Sequence, residues 1–170
     1  MFAGTVVVMG VSGTGKTEVA ARLAAELGRA FIEADRLHGS ANIAKMASGA
    51  GLTDVDRWPW LAAVAEAVTA ERRQAVVACS ALRRAYRDFL RGQLGATRFV
   101  FLNGPPSVIR ERMEARQGHF FKAEMLAGQL SALEKPEADE DFFEADIRHS
   151  PDELVRDVVR ALANASTVQT

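Results

Sequence analysis

The chain has little of what a secreted, membrane-bound or nucleic-acid-binding protein needs. It contains one cysteine, Cys79, in 170 residues, so an intramolecular disulfide is excluded and a reducing compartment, by default the cytoplasm, is expected. Lys and Arg are missing from the first 15 residues, which removes the positive start of a signal peptide. No uncharged run has the length and apolarity of a membrane span. Neither sign of charge dominates: Lys plus Arg number 21, Asp plus Glu 22, and the formal net charge is -1. Such a balance supplies no global field for nucleic acid or an acidic membrane, and no basic stripe marks a polynucleotide-binding face.

What is present is ordinary globular composition, 48% hydrophobic and 25% charged, at a length that suits one domain with small inserted lobes. A chain this long buries roughly 70% of its unfolded surface and needs no covalent staples. Val6-Val7-Val8-Met9 is a continuous apolar run ending in glycines, the pattern of a strand buried on both faces of a parallel sheet. Val19, Ala20, Leu23, Ala24 and Leu27 then recur at helical spacing, and Gly28 stands where a helix end wants glycine. Further strands read at 30–33, 75–79, 98–102 and 142–147, separated mostly by helical patterns. The clearest helix is the last, with Ser150 as N-cap, Pro151 in its first turn, and an apolar stripe of Leu154, Val155, Val158, Val159 and Leu162.

This alternation predicts a three-layer α/β fold around a parallel sheet of about five strands. Two stretches exceed a simple crossover. Residues 37–73 carry two helical segments and a Trp58-Pro59-Trp60 corner, and read as an inserted lobe. Residues 117–141 mix Gly, aromatics, charges and a Pro136 break, and read as a lid. The core is then 1–36, 74–116 and 142–170, with the tail from Ala163 frayed.

Gly10-Val11-Ser12-Gly13-Thr14-Gly15-Lys16-Thr17 matches G-x-x-x-x-G-K-[ST] and lies between the strand and helix that this phosphate loop requires. The glycines let successive N–H groups turn inward, and the following helix N-terminus favours phosphate oxygens. Lys16 is assigned to the β- and γ-phosphates and Thr17 to Mg²⁺. The loop alone says nucleotide rather than reaction, and no Asn-Lys-x-Asp signature supports a GTPase. After the second strand comes Glu33-Ala34-Asp35-Arg36-Leu37-His38, at the strand end where an α/β protein places its ligand. Asp35 is the candidate to orient an acceptor hydroxyl and take its proton, and Glu33 or Asp35 to hold the Mg²⁺ shell through water.

On these segments, with Asn42 to Gly49, Trp58 to Leu61, Cys79 to Asp88 and Gly118 to Lys122, the chain resembles the gluconate kinases, P-loop enzymes related in fold to shikimate and nucleoside monophosphate kinases. The resemblance implies MgATP and D-gluconate as substrates, and ADP and 6-phosphogluconate as products. It departs at Glu33-Ala34-Asp35, where the family usually reads Asp-Gly-Asp, and at Gly39, where proline is common. Cys79-Ser80 also lacks the acidic residue of a standard Walker B strand. A linear polyhydroxy anion needs cations and dense polar groups, and His38, Lys45, Arg57, Ser80, Arg83, Arg84, His119 and Lys122 are the substrate-binding candidates. Lysine supplies only four of the 21 basic residues, which singles out Lys45 and Lys122 as positions wanting a compact ammonium. Arg83 and Arg84 open a helix where positive charge opposes the dipole, so a bound anion is expected there. Arg112 and Arg116, four apart on one helix face, are the lid arginines expected on the ATP phosphates, with Arg116 catalytic. Trp58 and Trp60 read as packing anchors at a helix start and Cys79 as an inert core thiol. The remaining alternatives are a shikimate or nucleoside monophosphate kinase and a nucleotide-sensing module without transfer. Related kinases suggest a homodimer, which no feature of the sequence requires.

Overall fold

Each expected apolar run forms a strand. The computed structural model describes residues 2–115 and 123–164. In chain order these are β1 (Thr5–Met9), α1 (Lys16–Leu27), β2 (Ala30–Glu33), a 3-10 turn (Ala34–Leu37), α2 (Ser40–Ala47), α3 (Asp54–Ala70), β3 (Ala75–Ala78), α4 (Arg84–Leu94), β4 (Thr97–Asn103), α5 (Pro106–Ala115), α6 (Ala123–Ala132), β5 (Phe142–Asp146) and α7 (Pro151–Asn164). The sheet runs β2-β3-β1-β4-β5 with every pairing parallel. Val7 of the central strand lies opposite Val77 on one side and Phe99 on the other.

Because successive strand residues face opposite ways, β1 divides its side chains between two cores. Val6 and Val8 pack with Val19, Leu23, Leu154 and Val158 of α1 and α7, while Val7 and Met9 pack with Leu61, Val64 and Leu90 of α3 and α4. The two helical layers complete the three-layer architecture. Gly28 ends α1 with φ 63°, and the amides of Gly28 and Arg29 bond back to Ala25 and Ala24. Ser150 caps α7 reciprocally with Glu153: each backbone amide donates to the other's side chain. In the insert, α3 begins at Asp54, so Pro59 lies inside the helix rather than at its start. The later part of α3, from Trp60, packs its buried residues into the core on the Val7 and Met9 side of β1.

The segment before β5 is held by an element absent from the expectations above. Arg87 of α4 and Glu140, with side chains 0% and 1% exposed, form a two-pronged ion pair at 2.6 and 2.8 Å. The same guanidinium donates to the carbonyls of Ala81 and Leu82. Ala81 is buried at φ 43°, a left-handed conformation disfavoured for alanine, and the Arg87 bond helps hold it. Burial alone would raise the Glu140 carboxyl; the bonds from Arg87, the Glu137 amide and Arg91 outweigh it and bring it from its ordinary 4.5 down to about 2. A depressed folded pKa means that the stabilisation is complete above about pH 4.5 and drains away as the pH falls toward 2. Arg87→Met strands a buried carboxylate and is expected to cost about 3–5 kcal/mol in urea unfolding at neutral pH, most of it recovered by adding Glu140→Leu. A single-variant loss below about 1 kcal/mol, typical of an exposed pair, would remove this role from the pair.

Candidate active site

The glycine loop turns between β1 and α1 through left-handed or otherwise glycine-favoured backbone at Gly10 (φ 146°), Gly13 (φ 81°) and Gly15 (φ 92°). Gly13 has a second reason to lack a side chain, since a Cβ there would lie 2.5 Å from Met113 of α5. Buried Thr14 donates to the Val11 carbonyl at 2.8 Å, and the Gly10 amide reaches the Ser80 carbonyl at 3.3 Å. The first link stiffens the loop and the second ties it to the end of β3. No side chain caps α1 at Gly15, so its first amides are presented in the way a phosphate-binding helix start requires. Lys16 Nζ donates to the Val11 carbonyl at 3.1 Å.

Parallel pairing brings the ends of β1, β2 and β3 to one edge. Thr17 donates to Glu33 at 2.6 Å, and Glu33 accepts the Asp35 amide at 3.5 Å, so Glu33 also caps the 3-10 turn. A hydroxyl and a carboxylate in contact are hard oxygen donors of the kind Mg²⁺ takes, the remaining positions falling to water and phosphate. Glu33 thus gives Thr17 an acidic neighbour that Cys79-Ser80 does not supply. Buried Cys79 lies within the electrostatic reach of Asp35, Lys16 and Glu33, and its burial pushes the thiol up to about 12, as an inert core cysteine requires.

Beyond Asp35, His38 stacks on Trp60 with ring centres 4.4 Å apart and planes at 15°. Trp60 is nearly buried and donates its indole N–H to Ala34 at 2.7 Å, whereas Trp58 is part-exposed and meets Tyr86 edge-on. Both therefore pack. Thr53 and Asp56 cap α3 reciprocally, and Asp56 also accepts from Lys45 at 2.7 Å. Lys45 first and Thr53 second hold the Asp56 carboxyl well below the usual range. Arg83 pairs with Asp54 at 3.0 Å, and the same carboxylate accepts from Tyr86. Among the described residues Arg57 donates through Nη1, to the Leu52 carbonyl at 2.6 Å and the Tyr86 hydroxyl at 3.5 Å, with its guanidinium over the Tyr86 ring. Among the described residues it enters no ion pair.

A family model described as an AAA domain matches residues 6–136. The thermoresistant gluconokinase of Escherichia coli is 47% identical over 137 residues, which are 79% of this chain and 78% of that protein. The crystal structure of a gluconokinase from Sinorhizobium meliloti superposes with a TM-score of 0.89 at 47% identity, covering 96% of this chain and 94% of that one. The chain belongs to the gluconokinase family. Shikimate kinase from Aquifex aeolicus, at 14% identity and a TM-score of 0.64, shares the fold alone, over 96% of this chain and 99% of that one.

In this gluconokinase-family chain, the sequence candidates divide. The phosphate loop, Glu33, Asp35, His38 and Ser80 gather at the strand ends, with Arg57, Arg83 and Lys45 on the insert side. Arg84 is turned away to Glu137 and Asp139, and Glu134 caps its amide at 2.7 Å. The anion expected at the start of α4 is thus supplied by the protein's own carboxylates. Arg112 donates to the Ile147 carbonyl rather than into the loop. Arg116, His119 and Lys122 lie outside the described residues. The sequence reading missed Gln129 of α6, whose side chain accepts the Ser12 amide at 2.6 Å and donates to the Ser12 hydroxyl at 2.9 Å. No sequence signal joins residues 117 positions apart. Gln129→Leu keeps the bulk and removes both bonds, and is expected to lower stability of the nucleotide-free protein by about 1–2 kcal/mol in urea unfolding. Unchanged stability would mean that water replaces the amide at no cost.

Proposed function

We propose that the chain transfers the γ-phosphoryl group of ATP to the 6-hydroxyl of D-gluconate, giving ADP and 6-phospho-D-gluconate. The reading rests chiefly on the direct link between a phosphate loop and an acceptor-side carboxylate turn, Thr17 to Glu33 at 2.6 Å, in a chain of this family. Lys16 and the loop amides hold the triphosphate, and Thr17 with Glu33 would hold Mg²⁺. That ion, when bound, neutralises charge on the β- and γ-phosphates. Asp35 orients the hydroxyl and accepts its proton as the new O–P bond forms and the bond to the ADP oxygen breaks.

The acceptor wall fits a sugar acid better than a nucleotide base. Lys45, Arg83 and Arg84 each have a carboxylate partner already, while Arg57 keeps Nε and Nη2 clear of bonds to described residues. We assign Arg57 to the gluconate carboxylate, because a planar fork suits that anion. His38 and Ser80 serve the hydroxylated chain, with Arg83 and Lys45 shaping the insert side. Arg112, Arg116, His119 and Lys122 are proposed to act from the lid. The partner is a small molecule, and no described helix is long and apolar enough to cross a membrane. The single buried thiol suits the cytoplasm, and a homodimer is the assembly suggested by the resemblance.

ADP release by the purified protein with MgATP is the test, run in parallel with gluconate, shikimate, AMP and no acceptor. Rapid release with gluconate alone, matched by phosphogluconate, is the expected result; release with shikimate or AMP instead moves the acceptor assignment, and binding without release supports a sensing module. Asp35→Asn is expected to lower kcat by roughly 10²- to 10⁴-fold, the usual range for a general base. Near-normal turnover would relieve Asp35 of that role. Arg57→Met is expected to raise the gluconate KM by at least about tenfold with the ATP KM unchanged, as befits loss of a charge-assisted bond to the acceptor.

A further inference from the structure

Three contacts around His38 fix more than its position. The amide nitrogen of Asn42 lies 2.9 Å from the backbone carbonyl of Asp56 and 3.2 Å from Nδ1 of His38. A backbone carbonyl can only accept, so the Asn42 group facing it must be the NH₂, and the orientation of the amide is determined. An amide NH₂ donates and offers no lone pair. His38 Nδ1 therefore supplies the lone pair, and the ring proton must sit on Nε2.

Each partner in this chain is itself held. Asp56 occupies the third position of α3, where its side chain bonds Thr53 and Lys45, so its carbonyl is fixed by a reciprocal cap and an ion pair. Asn42 is only 9% exposed, so its NH₂ protons have little access to water, and the two contacts use both. Trp60 clamps the His38 ring from its face and is in turn bonded to Ala34. The charged groups acting on His38 are Asp35, which favours the cation, and Arg57, which disfavours it; burial, the largest cause, and Arg57 together outweigh Asp35, and the ring's pKa falls below its ordinary value.

We infer that Asn42 is a positioning residue that holds His38 as a neutral imidazole protonated at Nε2, so that His38 meets the acceptor as a one-proton donor to a hydroxyl oxygen and not as a cation. This deepens the acceptor assignment above and rests on it for the identity of the ligand. The tautomer itself does not depend on that assignment. Within the site the division of labour is physical: Arg57 carries the permanent charge for the carboxylate, and a second cation beside it would favour any small dianion. A neutral N–H, aimed by two fixed neighbours and within the electrostatic reach of Asp35, instead rewards an acceptor with a hydroxyl at that place and penalises one without it.

The test is nitrogen-15 NMR of the labelled full-length protein at pH 7.5, with and without D-gluconate; the chain has only three histidines, and His38→Gln assigns the signal. A His38 ring with an unprotonated Nδ1 and a protonated Nε2, whose Nε2 signal moves on adding gluconate, is expected. An Nδ1-protonated or doubly protonated ring at this pH overturns the inference even if gluconate is phosphorylated. The expected tautomer with no response to gluconate overturns the acceptor contact, and a protein that phosphorylates another acceptor overturns the function while leaving the tautomer standing. Asn42→Asp supplies the second arm, because a carboxylate accepting from Nδ1–H draws the neutral ring's single proton away from Nε2. It is expected to lower kcat/KM for gluconate roughly five- to tenfold with the ATP KM unchanged, the loss of one neutral hydrogen bond. Full activity alongside a switched tautomer would overturn the donor role.

Discussion

Parallel pairing of β1 between β3 and β4 is the constraint on which the other features depend. A parallel strand cannot return by a hairpin, so every connection must leave one edge of the sheet, cross a face as a helix and re-enter at the other. The consequence is that the loop after β1, the acidic turn after β2 and the Ser80 turn after β3 share one edge although they are distant in sequence. The hydrogen bonds from Thr17 to Glu33 and from Gly10 to the Ser80 carbonyl follow from that geometry. Burial of both faces of β1 makes the arrangement rigid, since its side chains anchor both helical layers at once.

Arginine does the second half of the organising. The chain uses its guanidiniums largely within itself: Arg87 on Glu140, Arg84 on Glu137 and Asp139, Arg83 on Asp54, Arg98 on Asp141. A planar fork can satisfy a carboxylate with two parallel bonds, which makes such pairs directional as well as attractive. Arg87 goes further by binding two backbone carbonyls at the strained Ala81 turn, so one buried cation fixes both the segment before β5 and the end of β3. Among the described arginines that the sequence offers as substrate-binding candidates, Arg83 and Arg84 are committed to carboxylates, and Arg57 stands out because its hydrogen-bond partners are a carbonyl and a hydroxyl.

The site shows the same economy at smaller scale. Several groups that a nucleotide or an acceptor would use are bonded to the protein itself: the Ser12 amide to Gln129 and Lys16 to the Val11 carbonyl. Ligands entering such a site exchange one set of hydrogen bonds for another rather than filling bare donors, which keeps the polar groups oriented at small net cost. His38, stacked on Trp60 and bonded to Asn42, is oriented in the same way before any ligand arrives.

The amino-acid sequence by itself determined the strands, the glycine loop, the caps of α1 and α7 and the family, because each rests on local patterns: runs of two-sided burial, glycines at obligatory turns, a capping Ser three residues before Glu153. It also placed Asp35 and His38 correctly at a strand end, since order along the chain and strand polarity suffice for that. Only the tertiary structure decided which basic residues are already spent. Arg84 read as an anion site because the dipole rule sees the helix start and not Glu134, Glu137 and Asp139, about 50 positions away. Pro59 marked a helix start by propensity, whereas the Thr53–Asp56 cap sets that start at Asp54. The Gln129 tie to Ser12 and the carbonyl that orients Asn42 were equally illegible, for a hydrogen bond between distant segments depends on how the layers pack and leaves no spacing in the chain.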